Sequence, residues 1–133
     1  MKVPPKKVFV VDDDPDMQEF FQTILGPKGK GYAVSGVVEA VLALPAIQKD
    51  TPDLVILDVM MEEADSGFKL ANSLSQEFTH LPILLLSSIA DASEGFMDTL
   101  ALPVQRILQK PITPERLIEE VEQILSPAPS SPE

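Results

Sequence analysis

Cysteine is absent from the 133 residues, and His80 is the only histidine. Without cysteine, disulfide bonds, thiolate nucleophiles and cysteine-ligated metal sites are excluded. One histidine cannot form a histidine-ligated metal site, and nothing in the sequence supports a Ser-His-Asp hydrolase. These absences remove the common thiol and histidine chemistries.

Long apolar runs and an excess of positive charge are also lacking. The continuous apolar runs are short, as at 83–86, whereas a membrane span needs about 18 consecutive apolar residues. The basic start, MKVPPKK, has no apolar stretch behind it, which argues against a secretory signal. The net charge of −11 disfavours direct nucleic-acid binding, because duplex-binding surfaces are usually basic. We therefore expect a cytoplasmic protein that contacts neither nucleic acid nor a membrane directly.

Two kinds of apolar pattern alternate along the chain, which is 44% apolar and has the length of one domain. Short continuous runs are typical of strands that are covered on both faces. They predict strands at 8–11, 54–57 and 83–86, and the mixed segments 32–36 and 104–108 are further strand candidates. Apolar residues spaced three and four apart predict helices. These lie at about 15–25, 41–49, 70–78, 91–101 and 114–125.

This alternation predicts an α/β fold, in which helices cover both faces of a parallel sheet. Right-handed crossovers restrict the topology. We expect a five-stranded doubly wound parallel sheet of order 2-1-3-4-5, the flavodoxin-like (βα)5 arrangement, with its ligand site at the carboxyl ends of the strands. One domain is predicted over residues 7–126, and the Pro/Ser-rich residues 127–133 are predicted to be a disordered tail or linker.

Three residues give local signals about the first two helices. Asp14 is a good N-cap, and Pro15 suits the first position of the helix that follows it. Pro45 should break the second helix unless it lies in the opening turn, because an interior proline costs about 3 kcal/mol.

Polar residues follow four of the predicted strands, at the edge of the sheet where a ligand is expected. They are Asp12 and Asp13 after the first strand, Asp58 after the third, Ser87 after the fourth and Lys110 after the fifth. Taken singly, each has an ordinary interpretation as a turn or surface residue. Together they bring three carboxylates, a hydroxyl and a lysine to one crevice.

Such a group is suited to phosphoryl chemistry. Clustered carboxylates repel one another, and Mg²⁺ usually supplies the counter-charge where carboxylates act together with phosphate oxygens. A lysine can neutralise phosphate, and a carboxylate can act as the nucleophile that forms an acyl phosphate. Because phosphoryl transfer needs mainly positioning and charge neutralisation, these side chains suffice for it.

Four stretches of sequence carry a family resemblance. They are VFVVDDDP at 8–15, PDLVILDVMM at 52–61, LPILLLSS at 81–88 and QKPITPERL at 109–117. With these motifs, the chain resembles the receiver domain of response regulators in two-component signal transduction, from about residue 7 to 125. The resemblance implies a signalling phosphoprotein that catalyses only its own phosphoryl uptake and slow autodephosphorylation, and so is not an enzyme in the usual sense.

The resemblance also implies a role for each acidic residue. Asp58 would be the phosphoacceptor, forming an aspartyl phosphate with a group from a sensor histidine kinase or phosphotransfer protein. Asp13 would bind Mg²⁺ directly, and Asp12 would act through water or by orienting. The backbone carbonyl of Met60 would complete the protein ligands of the metal, which Asp58 also contacts.

Further residues of the resemblance concern the response to phosphorylation. Lys110 would pair with Asp58 and then with the phosphoryl group, held by Pro111 after it. Ser87 would move toward the phosphoryl oxygen, and Ile107 would be the second switch residue. The expected output is a changed surface on the fourth helix, fifth strand and fifth helix, which acts on an output domain, a partner protein or a second copy in a homodimer.

Departures from the family pattern keep two other functions open. Glu62 stands where the family commonly has proline, Gly67 comes one residue late, and Ile107 replaces an aromatic residue. Glu62 and Gly67 predict a longer, acidic loop at 61–66. Glu62 and Ile107 favour, as an alternative, a docking module of the same fold that does not depend on phosphorylation. A Mg²⁺-dependent phosphohydrolase ranks last, because Met60 stands where such enzymes generally have a second acid.

Overall fold

Five parallel strands form one sheet in the order β2-β1-β3-β4-β5, as the sequence predicts. The computed structural model describes residues 5–58, 66–87, 106–109 and 112–125, with the backbone alone at 66–68, 87, 106, 107 and 109. The strands are β1 (Lys7–Val11), β2 (Ala33–Val37), β3 (Leu54–Asp58), β4 (Ile83–Ser87) and β5 (Arg106–Gln109). All four pairings between neighbouring strands are parallel.

Four helices belong to the described residues. They are α1 (Pro15–Leu25), α2 (Ala40–Lys49), α3 (Ser66–Glu77) and α4 (Pro114–Leu125). The helix predicted at 91–101 and the tail at 127–133 lie outside the described residues, so α4 is the fifth helix of the sequence prediction. Within the described ranges, no helix has both the length and the apolar character needed to cross a membrane.

Apolar cores on both faces of the sheet explain the continuous apolar runs of β1, β3 and β4. On one face, Phe9 and Val11 of β1 pack with buried side chains of α2 and α3. On the other, Val8 and Val10 pack with those of α1 and α4. Successive residues of a strand point to opposite faces, so a strand covered twice must be apolar at every position. Since the buried positions of these strands are apolar, polar side chains that could form a site are expected at the strand ends.

Polar caps open two of the helices. The side chain of Asp14 accepts a hydrogen bond from the backbone N–H of Asp16 at 2.9 Å, and Pro15 takes the first helical position, which confirms both predictions. The hydroxyl of Thr113 accepts from the backbone N–H of Arg116 at 3.2 Å at the start of α4. Each cap satisfies a donor that the first turn of a helix would otherwise leave without an intrahelical partner.

The expectation that Pro45 breaks the second helix is wrong. Pro45 lies inside α2, beyond its opening turn, and the helix continues to Lys49. The proline is exposed, whereas Ala43 and Ile47 on either side of it are completely buried. Burying a side chain of the size of Ile contributes about 1.5–3 kcal/mol, which offsets much of the cost of the proline. Tertiary packing therefore overrides the local preference.

Candidate functional site

Three carboxylates meet at the carboxyl edge of the sheet. Asp12 and Asp13 follow β1 directly, Asp58 is the last residue of β3, and one carboxylate oxygen of each lies within 4.8 Å of the others. The two strands are direct neighbours, with Val11 opposite Leu57, which brings their ends together. The structure thus unites the three acidic residues that the sequence predicts to be close.

Burial makes this cluster costly without a cation. Asp12 is 0% exposed and Asp58 is 2% exposed, whereas Asp13 is half-buried. Transferring a carboxylate out of water is unfavourable unless it is paired, hydrogen-bonded or bound to a metal. Two buried acids beside a third give the site a strong preference for positive charge.

Hydrogen bonds at the start of α1 fix the position of Asp12. Its carboxylate Oδ1 accepts from the backbone N–H of Asp14 at 3.0 Å, and its own N–H donates to the carbonyl of Val37 at 3.2 Å. The N-terminus of α1 also carries partial positive charge, which favours a carboxylate there. Asp12 is therefore oriented by the neighbouring strand β2 and by the helix that follows it.

The donor atoms fit a hard divalent cation. All three side chains offer oxygen, which Mg²⁺ and Ca²⁺ prefer, and the group contains no sulfur or imidazole donor. The half-buried Asp13 leaves the cluster partly open to solvent, which suits Mg²⁺, since this ion usually keeps several waters.

Other residues of the predicted site are described less fully. Met60 and Lys110 lie outside the described residues, as do Pro111 and Glu62. For the two predicted switch residues the structure describes backbone alone. Ser87 ends β4, one residue beyond the partner of Asp58, and Ile107 lies in β5 opposite Leu85.

The family model of the response regulator receiver domain matches residues 8–122. The chain belongs to the response regulator receiver family. Receiver domains are signalling domains rather than enzymes of the ordinary kind. Receiver domains bind Mg²⁺ at acidic residues, and this chain has such a cluster in Asp12, Asp13 and Asp58. The predicted family and the predicted five-stranded fold are confirmed.

A curated relative and two solved structures agree with this assignment. The chain is 34% identical over 121 residues to the response regulator MprA of Mycobacterium sp. (strain KMS), covering 91% of this chain and 51% of MprA. The receiver domain of NtrX from Brucella abortus matches with a TM-score of 0.78 and 26% identity, over 89% of this chain and 97% of that one. The receiver domain of a histidine kinase from Syntrophus aciditrophicus matches with a TM-score of 0.81 and 26% identity, over 96% and 95%. The chain spans about half the length of the curated relatives that it matches.

One polar residue at the site was missed by the sequence analysis. The side-chain amide of Gln18 donates to the carbonyl of Asp12 at 3.0 Å and to that of Val37 at 2.8 Å. Gln18 precedes the buried residues Phe21 and Leu25 by three and seven positions, which places it on the inward side of α1. A polar residue at that spacing was the available signal.

Proposed function

We propose that Asp58 is the phosphoacceptor of this receiver domain and takes its phosphoryl group from a phosphohistidine on a sensor histidine kinase or phosphotransfer protein. The observation that carries the proposal is the meeting of the Asp58 carboxylate with those of Asp12 and Asp13 within 4.8 Å. A carboxylate in a site built for a divalent cation is suited to receive a phosphoryl group, because both partners of that reaction are negatively charged.

Asp13, Asp12 and Asp58, with the backbone carbonyl of Met60, are the proposed protein ligands of Mg²⁺. Bound there, the ion supplies positive charge that lets a carboxylate and phosphate oxygens approach. Asp13 would bind the ion directly, and Asp12, whose carboxylate accepts from the backbone N–H of Asp14, would act through water or by orienting.

The transfer itself is a displacement at phosphorus. An oxygen of Asp58 forms a bond to phosphorus, the phosphorus–nitrogen bond of the phosphohistidine breaks, and its electron pair remains on the imidazole. Lys110 pairs with Asp58 before the transfer and with the phosphoryl oxygens after it. Ser87, at the end of the neighbouring strand, donates its hydroxyl hydrogen to a phosphoryl oxygen and so senses the modification.

The proposed output is a shift between two surface states, which involves Ser87 and Ile107. The responding surface is formed by the predicted helix at 91–101 together with β5 and α4. It acts on an output domain, a partner protein or a second copy of the receiver. In this proposal residues 7–126 form the receiver, and the Pro/Ser-rich residues 127–133 are a disordered tail or a linker. Contact with nucleic acid falls to such a partner, because this chain carries a net charge of −11.

The proposal is tested by intact-mass measurement after incubation with acetyl phosphate, with and without Mg²⁺. We expect one phosphoryl adduct on the wild-type chain, dependent on Mg²⁺, and none on Asp58→Asn. The matched control is Asp53→Asn, an exposed aspartate beside the opposite end of β3, which should retain the adduct. An adduct on Asp58→Asn would contradict the assignment. A wild-type chain that binds Mg²⁺ but is modified neither by acetyl phosphate nor by a histidine kinase would favour phosphorylation-independent docking.

A further inference from the structure

Gln18 connects α1 to the ends of two strands. Its side-chain Nε2 donates to the carbonyls of Val37 at 2.8 Å, Asp12 at 3.0 Å and Val10 at 3.3 Å. A primary amide carries two N–H groups, so two of these carbonyls are bound strongly and the third shares a donor. One side chain on a helix thereby joins the carboxyl ends of β1 and β2.

Both sides of the Asp12 backbone are held by this arrangement. The N–H of Asp12 donates to the carbonyl of Val37, while the carbonyl of Asp12 accepts from Gln18. Gln18 also binds the same Val37 carbonyl, so the three groups form a closed hydrogen-bonded unit. The direction of the Asp12 side chain depends on this backbone, since its carboxylate then accepts from Asp14.

A glycine beside the amide makes room for it. A Cβ added at Gly36 would lie 2.5 Å from the side-chain oxygen of Gln18 and 2.4 Å from the carbonyl oxygen of Val10. Real Cβ atoms essentially never approach other atoms so closely. The space for the Gln18 amide therefore depends on the absence of a side chain at Gly36, which is an observation independent of the hydrogen bonds.

We propose that Gln18 is a positioning residue for the acidic cluster and that it sets the affinity of this cluster for Mg²⁺ by fixing the Asp12 backbone. The inference rests on the proposed function in taking Asp12, Asp13 and Asp58 as the Mg²⁺ site. The hydrogen bonds of Gln18 go to backbone carbonyls, and Gln18 acts on the cluster through the carbonyl of Asp12. Groups that orient metal ligands commonly change metal affinity when they are replaced.

Gln22 provides a matched control within the same helix. It lies one turn after Gln18, and its side-chain amide donates to the carbonyl of Val34 in β2 at 2.6 Å. Its hydrogen bond thus joins the same two elements, α1 and β2, near the amino end of the strand and away from the acidic cluster. Removing either amide removes an α1–β2 bond, but only Gln18 bears on Asp12.

The experiment compares Gln18→Met and Gln22→Met with the wild-type chain. Methionine has a similar length to glutamine and has no N–H to donate. The Kd for Mg²⁺ is measured by isothermal titration calorimetry, and thermal unfolding is followed without Mg²⁺. We expect both variants to melt at lower temperature, Gln18→Met to bind Mg²⁺ about tenfold more weakly, and Gln22→Met to retain the wild-type Kd.

Two outcomes overturn different claims. Equal Kd values for the wild type and both variants would show that Gln18 is only structural. A wild-type chain that does not bind Mg²⁺ would overturn the proposed metal site itself.

A measurement on the unaltered chain covers the case in which Gln18→Met does not fold. The side-chain amide resonances of the glutamines are followed by NMR during a Mg²⁺ titration. We expect those of Gln18 to shift and those of Gln22 to stay in place. A Gln18 amide that is unaffected while Mg²⁺ binds would overturn the proposal.

Discussion

Carboxylates whose oxygens lie within 4.8 Å of one another repel when no cation is bound. Asp13 is the residue at which this repulsion is best tested, because it is half-buried while Asp12 and Asp58 are buried. Replacing it with asparagine removes one charge and leaves a group that water can still solvate. The cluster thus has a stability cost that a single substitution should relieve.

We predict that Asp13→Asn raises the free energy of unfolding of the Mg²⁺-free chain by about 1 kcal/mol and greatly reduces the stabilisation that Mg²⁺ gives the wild type. Urea unfolding with and without Mg²⁺ measures both effects. Asp16→Asn, an exposed acid in the first turn of α1, is the control and should keep the stabilisation by Mg²⁺. A less stable Asp13→Asn chain without Mg²⁺ would contradict the account of repulsion.

Tyr32, the only tyrosine, allows the effect of partial burial on the pKa of one side chain to be tested. Partial burial raises the pKa of its phenol above the ordinary 10.0, the charge of Glu122 adds to the increase, and Lys30 opposes it. The unfolded chain therefore loses the phenol proton first, and stability should fall as pH rises from 10.0 through the folded pKa. Ultraviolet absorbance of the phenolate follows this single group. A midpoint no higher than that of the urea-unfolded chain would refute the expectation.

The meeting of the acidic residues could be predicted from sequence, whereas the contacts of Gln18 could not. Asp12, Asp13 and Asp58 stand next to recognisable strands, and parallel strand ends meet at one edge. The contacts of Gln18 instead cross from α1 to β1 and β2, over a distance that depends on Gly36. Such contacts depend on how elements pack, which residue spacing along one helix does not specify.

Among the described elements, α2 departs clearly from its local sequence preference. It continues through the exposed Pro45 because Ala43 and Ile47 are buried against the sheet and α3. Sequence patterns placed β1, β3 and β4 to within about one residue, since a strand covered on both faces must be largely apolar. They failed at Pro45 because proline acts locally, whereas the burial that offsets it comes from residues distant in sequence.

We predict that Pro45→Ala stabilises the chain by about 1–2 kcal/mol, since it restores a helical N–H and removes the clash of the ring with the preceding turn. The gain is smaller than the full cost of an interior proline, because alanine also frees the unfolded chain. Urea unfolding measures the change. Lys49→Ala, at the exposed end of the same helix, should alter stability by less than about 0.5 kcal/mol. A loss of stability on Pro45→Ala would contradict the account of α2.

In the whole molecule, the site lies at the carboxyl ends of two neighbouring inner strands of the sheet, β1 and β3. Asp12 follows β1 and Asp58 ends β3, and these adjacent strands pack against helices on both faces. The order of the sheet was predictable, because alternating elements and right-handed crossovers leave few topologies. The partner of the proposed switch was not predictable, because the chain spans only about half the length of the curated relatives that it matches.

The most direct test of the central claim is to locate the phosphoryl group. The acyl phosphate formed with acetyl phosphate and Mg²⁺ is reduced with borohydride, which converts a phosphorylated aspartate to homoserine. Trypsin then releases residues 50–69, because Lys49 and Lys69 flank a stretch without lysine or arginine. We predict homoserine at Asp58 and unchanged side chains at Asp50, Asp53 and Asp65. Homoserine at another aspartate, or a modified chain with Asp58 intact, would contradict the account.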